Sequence, residues 1–193
     1  INALTDLHHP CQALADMMTV RAHRERLRGT RIAYLGAGNN VAHSLMEVGA
    51  LVGADVVVAT PPAFAPDPVI TAEAERLAAM NGGSVAITDH PAEAVAGAHV
   101  VYTDVWTSMG DAEETRDARR TLLAPFQVNE MMMAKAAPDA LFMHCLPAHR
   151  NQEVTDEVLD GPQSVVLEQA ENRLHTEQAL IVALLGGMLE GAA

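Results

Sequence analysis

Residues 31–40, RIAYLGAGNN, decide the fold, because they predict a strand over Arg31–Leu35 that ends in a glycine-rich turn. A helix is predicted to follow from about 41 to 52, and Asp55–Ala59, DVVVA, predicts the next strand. The alternation continues, with strands predicted over 84–87, 99–103, 141–144 and, as a sixth, 164–167, and with helices over 68–80, 91–96 and one or two between 111 and 137. Strands joined by such helices imply right-handed crossovers. The sequence therefore predicts an α/β fold, a doubly wound, three-layer α/β/α parallel sheet of the Rossmann-like kind with five or six strands.

Two predicted helices lie outside this alternation, one over about 9–28 and one over about 171–188. They flank a core over about 30–168, and residues 1–193 are predicted to form a single domain. Both helices are either extra cover on one sheet face or part of an interface with a domain that the chain lacks. The first residues lack the pattern of a signal peptide and an initiating methionine, which indicates a processed chain or a fragment.

The composition argues against several classes of protein. The 193 residues include 12 lysines and arginines against 25 acids, and this formal charge of −13 argues against nucleic-acid binding. Hydrophobic residues make up 49% of the chain, which is enough for a sizeable core and argues against disorder. Two cysteines do not make a disulfide framework and indicate a reducing, cytoplasmic compartment. The apolar stretch 179–189 is shorter than the ~20 residues of a membrane helix, so no membrane span is predicted.

In a doubly wound sheet, ligands bind at the carboxyl ends of the strands, which makes the loop after the first strand a candidate site. Gly36–Gly38 suggests a dinucleotide fingerprint, but the third glycine position is Val41 and the second strand ends at Thr60, so NAD binding is disfavoured. Asn39 and Asn40 follow at a predicted helix N-terminus, where an amide and free N–H groups hold a carboxylate. One of the two asparagines is expected to be the N-cap.

The loop 104–110, DVWTSMG, follows the fourth predicted strand. Its carboxylate and hydroxyl, Asp104 and Ser108, suit an amine and a neighbouring polar group, and Gly110 allows the loop to hinge. The alternative is an ordinary surface loop that Trp106 anchors by packing.

Residues 144–147, HCLP, follow the fifth predicted strand and place Cys145 at the mouth of the sheet. Cys145 is then catalytic, a metal ligand or a small buried hydrophobe. His8, His9 and Cys11 suggest zinc, but the paired ligand spacing of zinc sites is missing, so no metal is predicted.

Polar residues begin both outer helices. His9 and Gln12 of HPCQ are three positions apart and share a helix face, which suits one small polar group. Arg173, in Glu171-Asn172-Arg173, either binds an oxygen anion or carbonyl or forms a salt bridge with a nearby acid.

Together these motifs resemble the ornithine carbamoyltransferases. They occur in the family's order and at about its spacing over nearly the whole chain: His9–Gln12, Gly38–Asn40, Asp104 with Ser108–Gly110, His144–Pro147 and Glu171–Arg173. The HPCQ motif is shared with the wider carbamoyltransferases, whereas the Ser-Met-Gly loop together with HCLP points to ornithine as the acceptor. The resemblance implies transfer of a carbamoyl group from carbamoyl phosphate to the δ-amine of L-ornithine, giving L-citrulline and phosphate in arginine biosynthesis, without a metal or organic cofactor.

The resemblance also assigns roles to residues. The α-amino and α-carboxylate end of ornithine is assigned to Asn40, Asp104, Ser108 and Met109. The carbamoyl phosphate side is assigned to His9, Pro10, Cys11, Gln12, Cys145, Leu146 and Arg173. The implied catalytic residues are Cys145, beside the δ-amine, with His9 and Arg173, which polarise the carbonyl. The δ-amine must lose a proton before it attacks, and a nearby thiolate or carboxylate is the expected acceptor.

Family members have two domains, and the first carries a Ser-x-Arg-Thr-Arg phosphate loop that this sequence lacks. The resemblance thus implies an ornithine-binding domain with two interdomain helices, inactive alone because the carbamoyl-phosphate-binding domain is absent. The intact enzyme is expected to be a homotrimer and the isolated chain a monomer or weak dimer. Ala37 is a departure, because many relatives carry aspartate there. A non-catalytic amino-acid-binding module, a carbamoyltransferase for a related amine and a nucleotide-binding domain are the alternatives.

Overall fold

The computed structural model describes residues 1–107 and 113–186, with side chains in the second range described from residue 116 onward. Five strands form one sheet in this part of the chain: β1 (Arg31–Leu35), β2 (Asp55–Ala59), β3 (Ser84–Thr88), β4 (Val100–Thr103) and β5 (Leu141–His144). They lie in the order β3-β2-β1-β4-β5, and every neighbouring pair is parallel. The predicted doubly wound parallel sheet is confirmed.

The sixth strand predicted over 164–167 is wrong. Ser164 forms only an isolated bridge with Phe142, the Val165 N–H donates to the Phe142 carbonyl at 3.1 Å, and a helix begins at Val166. Short runs of β-branched residues do not by themselves distinguish strand from buried helix. Here Gln169 and Asn172 bury polar side chains against a neighbouring helix, and this tertiary contact overrides the local strand preference.

Eight helices surround the sheet in the described residues: α1 (Pro10–His23), α2 (Asn40–Leu51), α3 (Pro68–Asn81), α4 (Pro91–Val95), α5 (Glu113–Leu123), α6 (Glu130–Met133), α7 (Asp156–Leu159) and α8 (Val166–Leu184). The first helix is shorter than predicted, because the backbone is extended at Arg24. The last helix begins five residues before the predicted position 171. Two helices, α5 and α6, occupy the segment where one or two were predicted.

Alternate residues of β1 face two separate hydrophobic cores. Ile32 and Tyr34 pack with side chains of α1, α2 and α3, whereas Ala33 and Leu35 pack with side chains of α4, α6 and α7. Helices therefore cover both faces of the sheet, which leaves its ends free for ligands. No described helix has the length and apolar character of a membrane span.

The loop after β1 lies directly against the chain that follows β2. The Gly38 N–H donates to the Phe64 carbonyl at 2.8 Å. A Cβ added to Gly38 would lie 2.3 Å from the Pro66 backbone nitrogen, far inside van der Waals contact. Only glycine permits this close approach, and the approach fixes the start of α2 at the carboxyl end of β1.

We expect Gly38→Ala to lower the free energy of unfolding by about 2 kcal/mol, because the added methyl group overpacks a backbone contact. The matched control is Gly29→Ala, since Gly29 has φ of +72° but nothing within 4 Å of an added Cβ. That control is expected to cost about 1 kcal/mol from its left-handed backbone alone. Urea unfolding of the two variants is the measurement, and equal losses would contradict the close approach at Gly38.

Candidate active site

The candidate site lies where the order of the strands reverses, between β1 and β4. The loop after β1 carries Asn39, and β4 is followed directly by Asp104. The Asn39 amide Nδ2 donates to Asp104 Oδ2 at 2.7 Å, so a hydrogen bond joins the two strand ends. This is the position at which doubly wound sheets bind ligands.

Asn39 is the N-cap of α2. Its Oδ1 accepts hydrogen bonds from the N–H groups of Val41 and Ala42, both at 3.1 Å, and from the Tyr34 hydroxyl at 3.2 Å. Three donors on Oδ1 leave only the amide NH₂ to face Asp104. The orientation of this side chain is therefore set by the helix that it caps.

Asn40 was the predicted ornithine ligand of the pair. It is half-buried, and its Nδ2 donates to the Thr5 carbonyl at 2.8 Å. The amide group thus holds the N-terminal segment against the start of α2. In the part of the chain that the structure describes, no hydrogen bond reaches the side-chain Oδ1 of Asn40, so this oxygen stays available to a ligand.

The buried carboxylate Asp104 also contacts Cys145, the residue that follows β5. The Cys145 thiol donates to Asp104 Oδ1 at 2.9 Å. Burial raises the pKa of the Cys145 thiol well above its ordinary value, and the negative charge of Asp104 and the hydrogen bond to it act in the same direction. Cys145 is therefore a neutral thiol in this arrangement rather than a thiolate.

A buried acid and imidazole support the loop after β5. The His144 Nδ1 accepts a hydrogen bond from the Leu146 N–H at 2.8 Å, so the neutral ring carries its proton on Nε2. That nitrogen lies 3.4 Å from Oε1 of Glu153, and both side chains are fully buried. Leu146 has φ of +57°, a left-handed conformation that is uncommon for a residue with a branched side chain.

A second polar group forms where α1 and α8 meet. Arg173 Nη1 donates to Gln12 Oε1 at 3.1 Å and lies 3.5 Å from His9 Nε2, while Glu177 accepts from the other edge of the guanidinium at 2.7 Å. The predicted alternative of a salt bridge for Arg173 is thus present, with Glu177 as its acid. This salt bridge occupies one edge of the Arg173 guanidinium, and the other edge faces His9 and Gln12.

His9 is neutral in this arrangement. Its Nδ1 lies 3.1 Å from the Ala3 carbonyl, which can only accept, so the proton is on Nδ1 and the Nε2 lone pair faces Arg173. Burial lowers the pKa of His9, and the charge of Arg173 lowers it further. The negative charge of Asp104 raises the same pKa, but by less than burial and Arg173 lower it.

The other predicted residues of the carbamoyl side lie nearby without joining this group. Pro10 is the first residue of α1. Cys11 is buried, and its thiol points to the Asn2 carbonyl at 3.5 Å rather than to Arg173.

The predicted ornithine ligands Ser108 and Met109, with Gly110, lie outside the described residues. Trp106 is buried against Ala37 and Leu123, as the anchoring role predicts.

The described residues that could hold a metal ion are Asp104, His144 and Cys145, whose ligand atoms lie within 4.8 Å of one another. Each of the three has a protein partner: Asp104 is bonded by Asn39 and Cys145, and both ring nitrogens of His144 face Leu146 or Glu153. The absence of a metal from the reaction stays a prediction.

Sequence reasoning missed several residues that the structure brings to the site. Asn39 was considered only as a partner of Asn40, and nothing in the order of the two residues indicated which one faces Asp104. Asp16 and Gln169 carried no signal, because isolated polar residues inside helices are usually exposed. Burial of both side chains to 1% exposure or less is the property that singles them out, and it is a tertiary one.

We expect Asp104→Asn to accelerate alkylation of Cys145 by iodoacetamide at pH 8 severalfold, in a Cys11→Ala background that leaves one thiol. The substitution removes the charge and weakens the hydrogen bond that raise the pKa of the thiol, so the thiolate fraction rises. Asp139→Asn, at a side chain that is 74% exposed, is the matched control and is expected to leave the rate unchanged. An equal rate in Asp104→Asn and the parent would contradict the contact.

Comparison with known proteins identifies relatives of this chain. Residues 28–184 match the family model for the Asp/Orn binding domain of aspartate/ornithine carbamoyltransferases. An ornithine carbamoyltransferase of Thermococcus kodakarensis is 53% identical over 188 residues, which cover 97% of this chain and 59% of that protein. The chain thus spans about three fifths of the length of the curated relatives it matches.

Solved structures give the same relationship. The ornithine carbamoyltransferase from Pyrococcus furiosus superposes with a TM-score of 0.92 at 51% identity, over 97% of this chain and 59% of that one. An N-acetyl-L-ornithine transcarbamylase superposes with a TM-score of 0.83 at 33% identity, over 95% of this chain and 59% of that one. Since the family model covers most of the chain, from residue 28 to residue 184, the chain belongs to the aspartate/ornithine carbamoyltransferase family and matches its Asp/Orn binding domain.

Proposed function

We propose that this chain is the acceptor-binding domain of an ornithine carbamoyltransferase. The whole enzyme would transfer the carbamoyl group of carbamoyl phosphate to the δ-amine of L-ornithine, giving L-citrulline and phosphate. The observation that carries the proposal is the pair of adjoining polar groups: the acid and thiol of Asp104 and Cys145, and the cation and amide of Arg173 and Gln12. The first suits a cationic amino acid, and the second suits a neutral carbamoyl group.

On the ornithine side, the carboxylate of Asp104 pairs with the α-ammonium group. Asn39 holds this carboxylate in place from the loop after β1. Asn40, Ser108 and Met109 complete the proposed contacts to the α-amino and α-carboxylate end. The Ser-Met-Gly sequence at 108–110 argues against putrescine and acylated ornithine as acceptors.

On the carbamoyl side, Arg173 holds the carbonyl oxygen, on which negative charge grows as the amine attacks, and His9 supports this cation through the Nε2 lone pair that faces it. Gln12 presents Oε1, which accepts from an N–H group and so suits the carbamoyl NH₂. Pro10 and Cys11 place these side chains by starting α1. The backbone at Cys145 and Leu146 contacts the NH₂ from the opposite side.

The δ-amine must be neutral to attack, although an alkylammonium group has a pKa near that of lysine, about 10.4. A thiolate is not ready to take this proton, because burial and Asp104 keep Cys145 protonated. Asp104 accepts a hydrogen bond from this thiol and pairs with the α-ammonium group, so it does not take the δ-proton either. The low dielectric of a buried site disfavours the charged alkylammonium and so lowers the pKa of the δ-amine. No cofactor is needed for these steps.

The carbamoyl-phosphate-binding domain of the enzyme is proposed to cover the outer helices. Large apolar side chains are exposed along α8, among them Leu174 at 59%, Ile181 at 47% and Leu184 at 63%. Exposed apolar residues on one helix are typical of a surface that another part of the protein covers. We therefore propose that helices within 9–28 and 171–188 face the carbamoyl-phosphate-binding domain, in a homotrimeric, cytoplasmic enzyme.

The direct test is citrulline formation by the protein expressed with its full upstream reading frame. Turnover is expected to require both L-ornithine and carbamoyl phosphate, with N-acetyl-L-ornithine, putrescine and L-aspartate as inactive acceptors. The 193-residue chain alone is expected to give no turnover, because it lacks the arginine-rich phosphate loop. Turnover with another acceptor by a folded, full-length protein would contradict ornithine as the substrate.

A pair of capping variants tests the role of Asn39 separately. Asn39→Ala and Asp67→Ala each remove an N-cap, of α2 and α3 respectively, and each is expected to cost about 1 kcal/mol in the free energy of unfolding. Only Asn39→Ala also releases Asp104, so only that variant is expected to raise the KM for ornithine, by roughly tenfold for one lost charge-assisted hydrogen bond. A similar KM in both variants would show that Asn39 only caps the helix.

A further inference from the structure

A carboxylate with no assigned role lies beneath the carbamoyl side of the site. Asp16 is on α1, one turn after Gln12, and is 1% exposed. Its Oδ1 accepts from Gln12 Nε2 at 2.9 Å and from Gln169 Nε2 at 2.7 Å. Its Oδ2 is buried without a hydrogen-bond partner among the described residues. Two glutamines therefore donate to a single buried acid.

The chemistry of this contact determines which way Gln12 points. A carboxamide has one donating end and one accepting end, whereas an ionised carboxylate only accepts. Asp16 therefore takes the NH₂ end of Gln12 and leaves Oε1 directed toward Arg173, at 3.1 Å from its Nη1. Because Asp16 can only accept and Arg173 can only donate, both contacts favour the orientation in which the accepting end of Gln12 faces the site.

The same rule applies to the second glutamine. The Gln169 NH₂ group donates to Asp16 and to the Tyr102 hydroxyl at 3.0 Å, so its Oε1 faces β5 and accepts from the His144 N–H at 2.9 Å. His144 directly precedes Cys145. Asp16 thus orients one amide that enters the site and one that holds the strand end from which the thiol projects.

We propose that Asp16 is a positioning residue, whose ionised carboxylate fixes the orientation of Gln12 and Gln169 and so presents an acceptor to the carbamoyl NH₂. The proposal rests on the proposed function, since the partner of Gln12 Oε1 is taken to be a carbamoyl group. A protonated carboxyl would donate as well as accept, and would leave the contact with Arg173 as the remaining constraint on the Gln12 amide.

The energetic cost of this group argues against a purely structural role. Burial raises the pKa of Asp16 to about 7, although the hydrogen bonds of Gln12 and Gln169 and the charge of Arg173 lower it. A carboxyl whose pKa is raised on folding stabilises the folded state below its unfolded pKa and loses that contribution as the pH rises through the folded pKa. At pH 8 the ionised group therefore destabilises the fold.

The test is Asp16→Asn in the full-length enzyme, with steady-state kinetics and thermal unfolding at pH 8. The replacing carboxamide has the same shape but lets either glutamine orientation form. We expect the melting temperature to rise, because the buried charge is gone, and the KM for carbamoyl phosphate to increase roughly tenfold, because hydrogen bonds to charged groups are about twice as strong. A merely structural acid would not combine greater stability with weaker binding.

The pH profile is the second readout. In the parent enzyme, kcat/KM for carbamoyl phosphate is expected to fall as the pH drops through about 7, where Asp16 becomes protonated. The ionisable groups that face Asp16 from other elements are Tyr102 on β4, Cys145 after β5 and Arg173 on α8. All three groups remain in Asp16→Asn. If the fall in kcat/KM near pH 7 disappears in the variant, that fall is caused by protonation of Asp16.

Thr19→Val is the matched control. Thr19 lies one turn further along α1 and accepts a buried hydrogen bond from Asn172 of α8 at 2.9 Å, so its loss weakens the same helix contact without touching Gln12. That variant is expected to melt lower and to keep the parental KM and pH profile.

The outcomes separate the two proposals. If the parent enzyme neither binds carbamoyl phosphate in calorimetry nor forms citrulline, the proposed function fails, and the role of Asp16 fails with it. If the parent is active, and Asp16→Asn keeps both the parental KM and the fall in kcat/KM near pH 7, only the role of Asp16 is overturned. The same holds if Thr19→Val raises the KM as much as Asp16→Asn.

Discussion

The buried carboxylate of Asp104 joins the three segments that make up the acceptor side of the site. One oxygen is held by Asn39 from the loop after β1, and the other by Cys145 from the loop after β5. A buried charge without such partners would cost several kcal/mol. The hydrogen bonds that remove this cost also fix the spacing of the strand ends, so the geometry of the site follows from the requirement to satisfy one acid.

Two stacked tyrosines extend this constraint into the sheet. Tyr34 on β1 and Tyr102 on β4 lie with ring centroids 5.9 Å apart. Burial raises the pKa of both phenols, and the charges of Asp104 and Asp16 add to the effect at Tyr34 and Tyr102 respectively. Both groups are therefore neutral hydroxyls. Tyr34 donates to Asn39 and Tyr102 accepts from Gln169, so one aromatic pair in the core supports both sides of the site.

The sequence predicted the sheet well because each β-branched run ends at a strong turn signal. The strands over 31–35, 55–59 and 141–144 were predicted with the observed bounds. The run at 164–167 has a similar composition, but its side chains do not share one environment, because Val166 is buried with Phe142 and Val158 whereas Leu167 is 79% exposed. Local pattern cannot reveal that difference, because it depends on which helix packs against the segment.

The site could be predicted less completely than the fold. Motif positions after strands and at helix starts identified Asp104, Cys145, Gln12 and Arg173, and the structure places them in two adjoining groups. The motifs did not show which of two asparagines faces Asp104, because that depends on the N-cap geometry of α2. Nor did they reveal Asp16, whose effect acts through amide orientation and needs three elements to meet.

On both sides of the site, a carboxamide next to a buried acid has one end occupied by the protein, and this fixes the orientation of the other end. At Asn39, the N–H groups of α2 occupy the oxygen, and the NH₂ end is left for Asp104. At Gln12, Asp16 occupies the NH₂ end, and the oxygen is left for Arg173. One side therefore presents a carboxylate to a cation, while the other presents a donor and an acceptor together. A carbamoyl group, with one carbonyl and one NH₂, needs that second combination, and an amide that was free to turn would supply it only part of the time.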